Sequence, residues 1–523
     1  MSQESRPDFE LSLSRLSTYV AGLAVTFVLA FMCGCSSSST PSACSSAGSY
    51  NNASLGAAGT QWAYELSGWI QSGASHSPYT AAGVLTVDGN GKITGGVDHF
   101  WGTITGGSYS VTHNGTGTIT VNVSTSTGAQ TLSWVITLGN PGATNSVGSF
   151  AVIEGDSLAN SAGAAYQQNP ATLTTAPSGT FVFRTHVSPP GTSLTGAQAS
   201  VGSIAFNNAT VTGNDDWVNG AGAGGQTVGF AGTFTVPSGG VGSVSFTDGL
   251  GMRTFDYFVI DANDLLLYET DTLNHKLGLG RAEAQQTPTG GFTKSSLSGS
   301  FAFLGHGDTS ASAAGGVNSV GQFTADGNGN ITGGSLDAVR DGTAQLAQTL
   351  SASTYSLAAT GRLTSTLNPS GGGAVANVTY LVSPTRGFFL VSNDVTLVED
   401  GTVDQQSTSS FANSSFNGQY AFVIGGVVST VPQNRTGIIT ANGTGNLGWF
   451  EPANSSVCST ATYSVAANGR VTATVSVKSV SSSLIFYLIS PGLAYVIQGD
   501  SGSQVRGGAA NQNHLPTPYI PGT

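Results

Sequence analysis

One pattern of glycine and aromatic residues recurs four times along the chain at an almost constant interval. In each copy an aromatic residue shortly follows a glycine, and a second aromatic comes two residues later. The first aromatics are Trp62, Phe181, Phe301 and Tyr420, which lie 119, 120 and 119 residues apart. This period matches the size of an independent domain and exceeds the ~40–50 residues of a propeller blade. We therefore expect four tandem domains of similar fold.

The residues between these landmarks predict short antiparallel strands. Charged residues make up only 8% of the chain, whereas 74 of its 523 residues are glycine. The segments Gly83–Gly96 and Gly321–Gly334 both carry Asp-Gly-Asn-Gly between apolar runs, and Arg470–Val477 alternates polar and apolar residues. Such alternation is typical of strands, and turns this tight join only antiparallel neighbours.

Each unit contains about eight strands on this interpretation. With an even strand count, the first and last strands can pair and so remove the exposed sheet edges. We predict an all-β chain of four antiparallel meander units, each a small up-and-down β-barrel, with a two-sheet β-sandwich as the alternative. The linkers 285–291 and 406–410 are polar, which predicts exposed spacers between finished domains. The predicted boundaries are 50–168, 177–286, 293–407 and 411–513 for the four repeats, followed by a tail at 514–523.

The first 35 residues have the order of an export signal. A polar, arginine-containing stretch precedes one apolar run, Leu16–Met32, and a serine-rich stretch follows Cys35. The Gly34-Cys35 junction resembles the lipobox of bacterial lipoproteins, in which the cysteine carries the lipid. This resemblance implies a signal peptide over 1–35, lipidation of Cys35 and a tether over 36–49. An uncleaved membrane anchor is the alternative, because the apolar run is just long enough to span a bilayer.

Two wider resemblances concern the repeats. In overall pattern, residues 50–513 resemble exported bacterial lipoproteins of unknown role that are built from tandem β-repeats. The glycine–aromatic opening of each unit is faintly similar to that of avidin- and lipocalin-type barrels. The first resemblance implies a lipid-anchored protein of the cell envelope, at the outer membrane or cell surface, and brings no known activity. The second brings no binding residues.

Two acidic patterns invite a chemical interpretation. Asp88-Gly-Asn-Gly and Asp326-Gly-Asn-Gly offer oxygen ligands, but no register supplies both the sixth-position glycine and the twelfth-position acid of a calcium loop. Both segments suit hairpin turns, so we predict turns and no metal site. Two acids also recur in each unit and could form a catalytic pair. They are Asp98, Asp216, Asp337 and Glu451 after the hairpin, and Asp156, Asp271, Asp394 and Asp500 near the end.

Aromatic and histidine residues give weaker indications of a site. Trp101, Trp217 and Trp449 follow the second hairpin in three repeats, where they could stack on a sugar or pack in the core. His186 and His306 share a register, each five residues after the opening aromatic. Because the other two repeats lack this histidine, we interpret both as exposed residues at strand ends.

Only two cysteines remain after the predicted processing, Cys44 and Cys458. Export permits a disulfide between them, and two unpaired thiols are the alternative. The sequence leaves this choice open because it gives no distances.

Charge and repetition together define the expected function. The net charge of −12 and the absence of a basic patch exclude nucleic acid as a partner. Four similar units raise avidity for a repetitive target, and no hydrolase or metalloprotease motif occurs, so we predict no catalytic residue and no cofactor. We predict a non-enzymatic, envelope-anchored repeat protein with a multivalent binding or structural role toward an envelope polysaccharide or protein. A carbohydrate-active enzyme and a small-ligand carrier that uses the barrel interiors are the alternatives.

Overall fold

The structure is a computed structural model. It describes residues 49–72, 75–139, 147–188, 194, 196–271, 278–309, 316–428, 431–432, 434–453, 458–477, 480–500 and 506–511. The predicted signal, the predicted tether up to residue 48 and Cys44 lie outside these residues. Within them the chain is all-β apart from three single-turn 3-10 helices, Asn52–Leu55, Lys294–Ser296 and Asn413–Ser415, and no described helix is long and apolar enough to cross a membrane.

The strands form four closed antiparallel barrels in chain order, which confirms the barrel prediction over the sandwich. Barrel 1 consists of β1 (Thr60–Ser72), β2 (Ser75–Val87), β3 (Lys92–Asp98), β4 (Gly102–Val111), β5 (Thr116–Thr125), β6 (Gly128–Leu138), β7 (Ser149–Gly155) and β8 (Ala159–Gln167). Barrel 2 consists of β9 (Gly179–Val187), β10 (Gln198–Asn207), β11 (Thr210–Asn219), β12 (Gly224–Phe234), β13 (Val241–Asp248), β14 (Gly251–Asp261), β15 (Asp264–Glu269) and β16 (Gly278–Ala284).

Barrels 3 and 4 keep the same eight-strand plan with small irregularities. Barrel 3 consists of β17 (Ser298–Thr309), β18 (Gly316–Asp326), β19 (Asn330–Arg340), β20 (Thr343–Ser351), β21 (Ser353–Leu357), β22 (Arg362–Pro369), β23 (Val375–Ser383), β24 (Arg386–Val391) and β25 (Leu397–Gln405). Here β20 and β21 together serve as the fourth strand, since both pair with β19 and β22. Barrel 4 consists of β26 (Asn417–Val428), β27 (Val431–Pro432), β28 (Arg435–Asn442), β29 (Asn446–Phe450), β30 (Ser459–Val465), β31 (Arg470–Val477), β32 (Val480–Ser490), β33 (Leu493–Gln498) and β34 (Arg506–Asn511). Only the end of β26 pairs with the two-residue β27, which lies outside the eight-strand cycle.

Each barrel encloses its own apolar core. The four opening aromatics are buried inside their barrels, as the repeat pattern predicts. Side chains alternate between the two faces of a strand, so in β1 Trp62, Tyr64 and Leu66 fill the interior while Ala63 and Glu65 face outward. The outward face of β1 is buried as well, because it packs against barrel 2.

The four barrels pack head to tail in a closed ring. The first strands of each barrel contact the sixth to eighth strands of the next, and β26 and β28 of barrel 4 contact β6, β7 and β8 of barrel 1 in the same way. Among the described residues, ten, twelve and ten buried apolar side chains form the first three interfaces. The interface that closes the ring has four, namely Val423 against Ala151, Ile153 and Ala162. The expectation of separate domains on a string is therefore wrong.

A glutamine at the start of each linker attaches one barrel to the next. The side-chain amide of Gln168 donates to the carbonyl of Val259 at 2.6 Å, that of Gln285 to Leu381 at 2.8 Å, and that of Gln406 to Leu488 at 2.7 Å. Each acceptor belongs to the sixth strand region of the following barrel. The linkers that the sequence presents as spacers are exposed only beyond these glutamines.

Candidate ligand-binding cavity

Barrel 3 contains a cavity of about 500 Å³ inside its strands. Its wall is mainly apolar. Side chains on the wall include Leu297, Phe303, Phe323, Leu363 and Phe389. A buried apolar cavity of this volume falls in the range of ligand sites, about 300–1,000 Å³.

The cavity exists because barrel 3 lacks large side chains that the other barrels carry. In each barrel, two successive inward-facing residues of the sixth strand pair with residues of the fifth strand. In barrel 3 small polar residues occupy both, so the interior is left partly open. The residues are Trp134 and Ile136 in barrel 1, Phe255 and Tyr257 in barrel 2, Asn377 and Thr379 in barrel 3, and Leu484 and Phe486 in barrel 4.

Polar side chains surround the mouth of this cavity. Arg340 ends β19 and binds Asp394 at 2.9 Å, while Gln345, Gln348 and Asn393 complete the rim. Just inside, Glu399 accepts a hydrogen bond from the Ser319 hydroxyl at 2.5 Å. Burial raises the pKa of the Glu399 carboxyl to about 7.

Glu399 has room because of the residue opposite it on β17. Gly305 stands at the inward position that Leu66 occupies in barrel 1, and a side chain there would collide with the Glu399 carboxylate and the Ser319 hydroxyl. No motif in the sequence indicated Glu399 or Asn377. The only available signal was the loss of large residues at these registers in one repeat.

The three predicted stacking tryptophans lie in different environments. Trp449 is 1% exposed in the core of barrel 4, where its Nε1 donates to Glu451 at 2.6 Å. Trp101 is half-buried and its Nε1 donates to the Tyr79 hydroxyl at 2.8 Å. Trp217 is half-buried at a groove between barrels 2 and 3. The three therefore do not form a common exposed surface.

The acids after the second hairpin stabilise contacts within and between barrels. Asp216 receives a bidentate hydrogen bond from Arg362 of the next barrel at 2.6 and 2.7 Å, and Asp337 receives the same from Arg470. The Tyr380 hydroxyl donates to Asp216 at 2.9 Å, and barrel 4 repeats this contact with a tyrosine on Asp337. Within barrel 1, Asp98 accepts from the Tyr64 hydroxyl, and within barrel 4 Glu451 binds Arg435.

Acids near the end of each unit have similarly local roles. Asp156 accepts the backbone N–H groups of Ser133 and Leu158 at 2.8 Å, and Asp500 accepts that of Ser483 at 2.7 Å. In this way both acids bind the sixth strand of their own barrel, at Ser133 in β6 and Ser483 in β32. These contacts give Asp156 and Asp500 a structural role within their own barrels.

The Asp-Gly-Asn-Gly segments lie in the turns between the second and third strands of barrels 1 and 3. Asp88 accepts the backbone N–H groups of Asn90 and Lys92 at 2.7 and 2.9 Å. Asp326 accepts those of Asn328 and Asn330 at 2.7 and 3.0 Å. These bonds use each carboxylate to shape its own turn.

The interpretation of His186 and His306 as exposed residues is wrong. Both are buried between barrels 2 and 3, with 0% and 2% exposure. His186 Nδ1 and Nε2 contact the carboxylates of Asp400 at 2.5 Å and Asp308 at 2.9 Å. Despite burial, which opposes the charged form, these carboxylates raise the pKa of His186 to about 9.

His186, His306 and Asp400 are close enough to consider a shared metal ion. The Arg184 guanidinium, however, lies 3.1 Å from the Asp400 carboxylate and 3.4 Å from His306 Nε2. This fixed positive charge would repel a divalent cation. Burial holds the pKa of His306 well below its usual value. The charged pairs Arg184–Asp400 and His186–Asp308 form an ion-pair network that joins barrels 2 and 3.

Cys458 packs beside Phe450 in barrel 4 and is disulfide-bonded. Its partner lies outside the described residues, as do Cys44 and Cys35. The pairing of Cys44 with Cys458 stays a prediction.

No protein-family model and no curated protein sequence matches the chain. Two similar solved structures are crystal structures of the vaccine antigen transferrin-binding protein B from Haemophilus parasuis, one of a double mutant and one of a single mutant. The first is 10% identical over 72% of this chain and 82% of that chain, with a TM-score of 0.18. The second is 10% identical over 69% and 81%, with a TM-score of 0.17. Scores of this size do not establish a shared fold.

Proposed function

We propose that this protein is a non-enzymatic, envelope-anchored ring of β-barrels whose third barrel binds one small, largely apolar ligand. The single observation that carries the proposal is the cavity of about 500 Å³ in barrel 3. Burial of apolar surface is the main source of affinity for such ligands. Most of the acids that could have served a carbohydrate-active enzyme are engaged in contacts within one barrel or between two barrels, which supports binding over catalysis.

One ligand per chain is expected, although repetition alone suggests four equivalent sites. The inward positions that create the cavity carry Trp134 in barrel 1, Phe255 in barrel 2 and Leu484 in barrel 4. These large side chains occupy the space that Asn377 leaves open in barrel 3. A multivalent role toward an envelope polysaccharide would instead require a site that all four barrels share.

The ligand site can be tested with N-phenyl-1-naphthylamine, an apolar dye that fluoresces when it leaves water. Asn377→Trp gives barrel 3 the tryptophan that barrel 1 carries at the equivalent position. Thr379→Phe gives barrel 3 the phenylalanine that barrel 4 carries at the other of the two positions. We expect each variant to weaken dye binding about tenfold or more, because the added ring fills the cavity.

Ala376→Trp is the matched control, since Ala376 is next to Asn377 on β23 and its side chain faces the outside of the barrel. It should bind the dye like the wild type. Native-like circular dichroism is required of all variants. Undiminished binding by both filled variants would refute a site inside barrel 3.

The envelope location in this proposal depends on Cys35. Growth of the producing bacterium with a labelled fatty acid should tag the wild type and leave Cys35→Ala unlabelled. Equal labelling of the two proteins would contradict the lipid anchor.

A further inference from the structure

The cavity of barrel 3 changes from apolar to polar along its length. At its mouth, near the starts of β18, β23 and β25, lie Val317, Val375 and Leu397. Two residues further along the same strands, and therefore on the same inner face, lie Ser319, Asn377 and Glu399. Below this polar layer the wall is mainly apolar down to Leu297, with Thr379 as a polar side chain on β23.

The depth of the cavity suits an extended hydrocarbon chain. Its wall follows β23 from Val375 to Leu381, which is about 20 Å along the strand at ~3.3 Å per residue. The polar layer crosses only the upper part of this length. A ligand that matches both parts has an apolar tail and a polar head.

The charged side chains at the mouth determine whether a cationic or an anionic head group is preferred. Two carboxylates, Glu399 and Asp394, face one guanidinium, Arg340. Arg340 is already bound, through Asp394 at 2.9 Å and through the Thr396 hydroxyl at 2.7 Å. Asp400, the next acid along β25, is neutralised on the outer face by Arg184 and His186. The mouth therefore keeps an excess of negative charge.

On the basis of the proposed function, we infer that barrel 3 takes a single-chain amphiphile with a cationic head, its tail in the barrel and its head beside Glu399. An alkylammonium group can donate hydrogen bonds to the Glu399 carboxylate and to the amide oxygens of Asn377, Gln345 and Gln348. A carboxylate or phosphate head would face Glu399 and Asp394 without a free cation among the residues that line the cavity.

Competition at pH 8 with three ligands of equal chain length tests this inference on the full-length ring. Dodecylammonium, dodecanol and dodecanoate are titrated against bound N-phenyl-1-naphthylamine. At this pH the Glu399 carboxyl, with its pKa of about 7, is mostly ionised. We expect dodecylammonium to bind about tenfold more tightly than dodecanoate, with dodecanol between them.

Glu399→Gln keeps the shape of the side chain and removes its charge. It should abolish most of the preference for dodecylammonium over dodecanol and dodecanoate, measured as the ratio of their affinities within the same variant. Glu154→Gln is the matched control, because Glu154 is buried in barrel 1 beside Ser161 at 2.8 Å. It should keep the preference of the wild type.

The outcomes separate the inference from the proposed function. Dye binding with equal affinity for the three heads, or with dodecanoate favoured, overturns the cationic ligand and leaves the cavity as a binding site. A preference that survives in Glu399→Gln also overturns it. Absence of dye binding in the wild type refutes the proposed function, and the inference fails with it.

Discussion

At the scale of single residues, the ring is held by charges that are buried between barrels. Arg386 illustrates the arrangement, since it binds Glu283 of barrel 2 at 2.7 Å and Asp404 of its own barrel at 2.8 Å. Burying ions costs free energy that only close, well-oriented partners offset, so removal of one partner is strongly destabilising. Such contacts contribute more to determining which barrel faces pack together than to the free energy of unfolding.

The pH dependence of stability should report the charge on His186. Its pKa is about 9 in the folded protein, where Asp308 and Asp400 hold the proton, against 6.5 in the unfolded chain. Its stabilisation is therefore complete below about pH 6.5 and is lost as the pH rises through 9. His186→Gln leaves the buried Asp308 carboxylate without a cation and leaves Asp400 with Arg184 alone, and we expect a loss of about 3–5 kcal/mol at pH 6.5.

Urea unfolding between pH 6.5 and 10 provides the measurement. The wild type should lose stability over this range, and His186→Gln should show a flatter profile. His113→Gln, at an exposed position, serves as the control and should follow the wild type. A steep profile in His186→Gln would show that other groups cause the pH dependence.

At the scale of strands and linkers, the glutamine at the start of each linker joins successive barrels. The amide of Gln406 reaches the carbonyls of Asn468 and Leu488 at 3.0 and 2.7 Å. Gly469 lies against this amide with φ at +86°, and a side chain there would collide with it. The backbone N–H of Ser407 then donates to Ile489 at 2.7 Å. The linker is thus fixed at its first two residues.

Gln406→Ala should lower the stability of the ring by about 1–3 kcal/mol, because it removes the amide donor from the buried carbonyl of Leu488 and the half-buried carbonyl of Asn468. Gln405→Ala is the adjacent control, since the Gln405 amide donates to Ser298 in its own barrel and at an exposed site. Its effect should not exceed about 1 kcal/mol. Thermal unfolding of the two variants gives the comparison, and equal losses would argue against a special role for Gln406.

At the scale of the whole molecule, the ring has one weak interface. Among the described residues, barrels 1 and 4 meet through four buried apolar side chains, the half-buried Val135 and a few polar contacts, of which one joins the Asn434 amide to the Asn160 side chain at 2.7 Å. The other three interfaces bury more apolar surface and form between consecutive barrels. Opening of the ring should therefore begin where its first and last barrels meet.

A cysteine pair can detect this closure in solution. Asn160→Cys combined with Asn434→Cys should be linked within one chain by a short bis-maleimide, and the linkage should raise the urea midpoint. Asn160→Cys combined with Asn263→Cys, in an exposed turn of barrel 2, is the control and should not be linked. Peptide mapping by mass spectrometry identifies the linked residues. Failure of the first pair to react would mean that the ring is open.

The sequence predicted the barrels but not their assembly. The period of the opening aromatics and the glycine turns set the strand count, because both are local patterns. The inter-barrel faces consist of outward residues such as Ala63 and Leu304, which look like any strand residues until a partner covers them. The cavity was equally difficult to predict from the sequence, because it results from the small volumes of the Asn377 and Thr379 side chains.

Closure after four barrels also constrains how the gene can change. In an open solenoid, repeats can be gained or lost by recombination, since each new unit finds a free end to stack on. A head-to-tail ring has no free end, so a fifth copy would find both complementary faces already occupied. Loss of one copy would leave two unlike apolar faces exposed to water. The interior residues of each barrel can therefore change during evolution, whereas the number of barrels in the ring cannot.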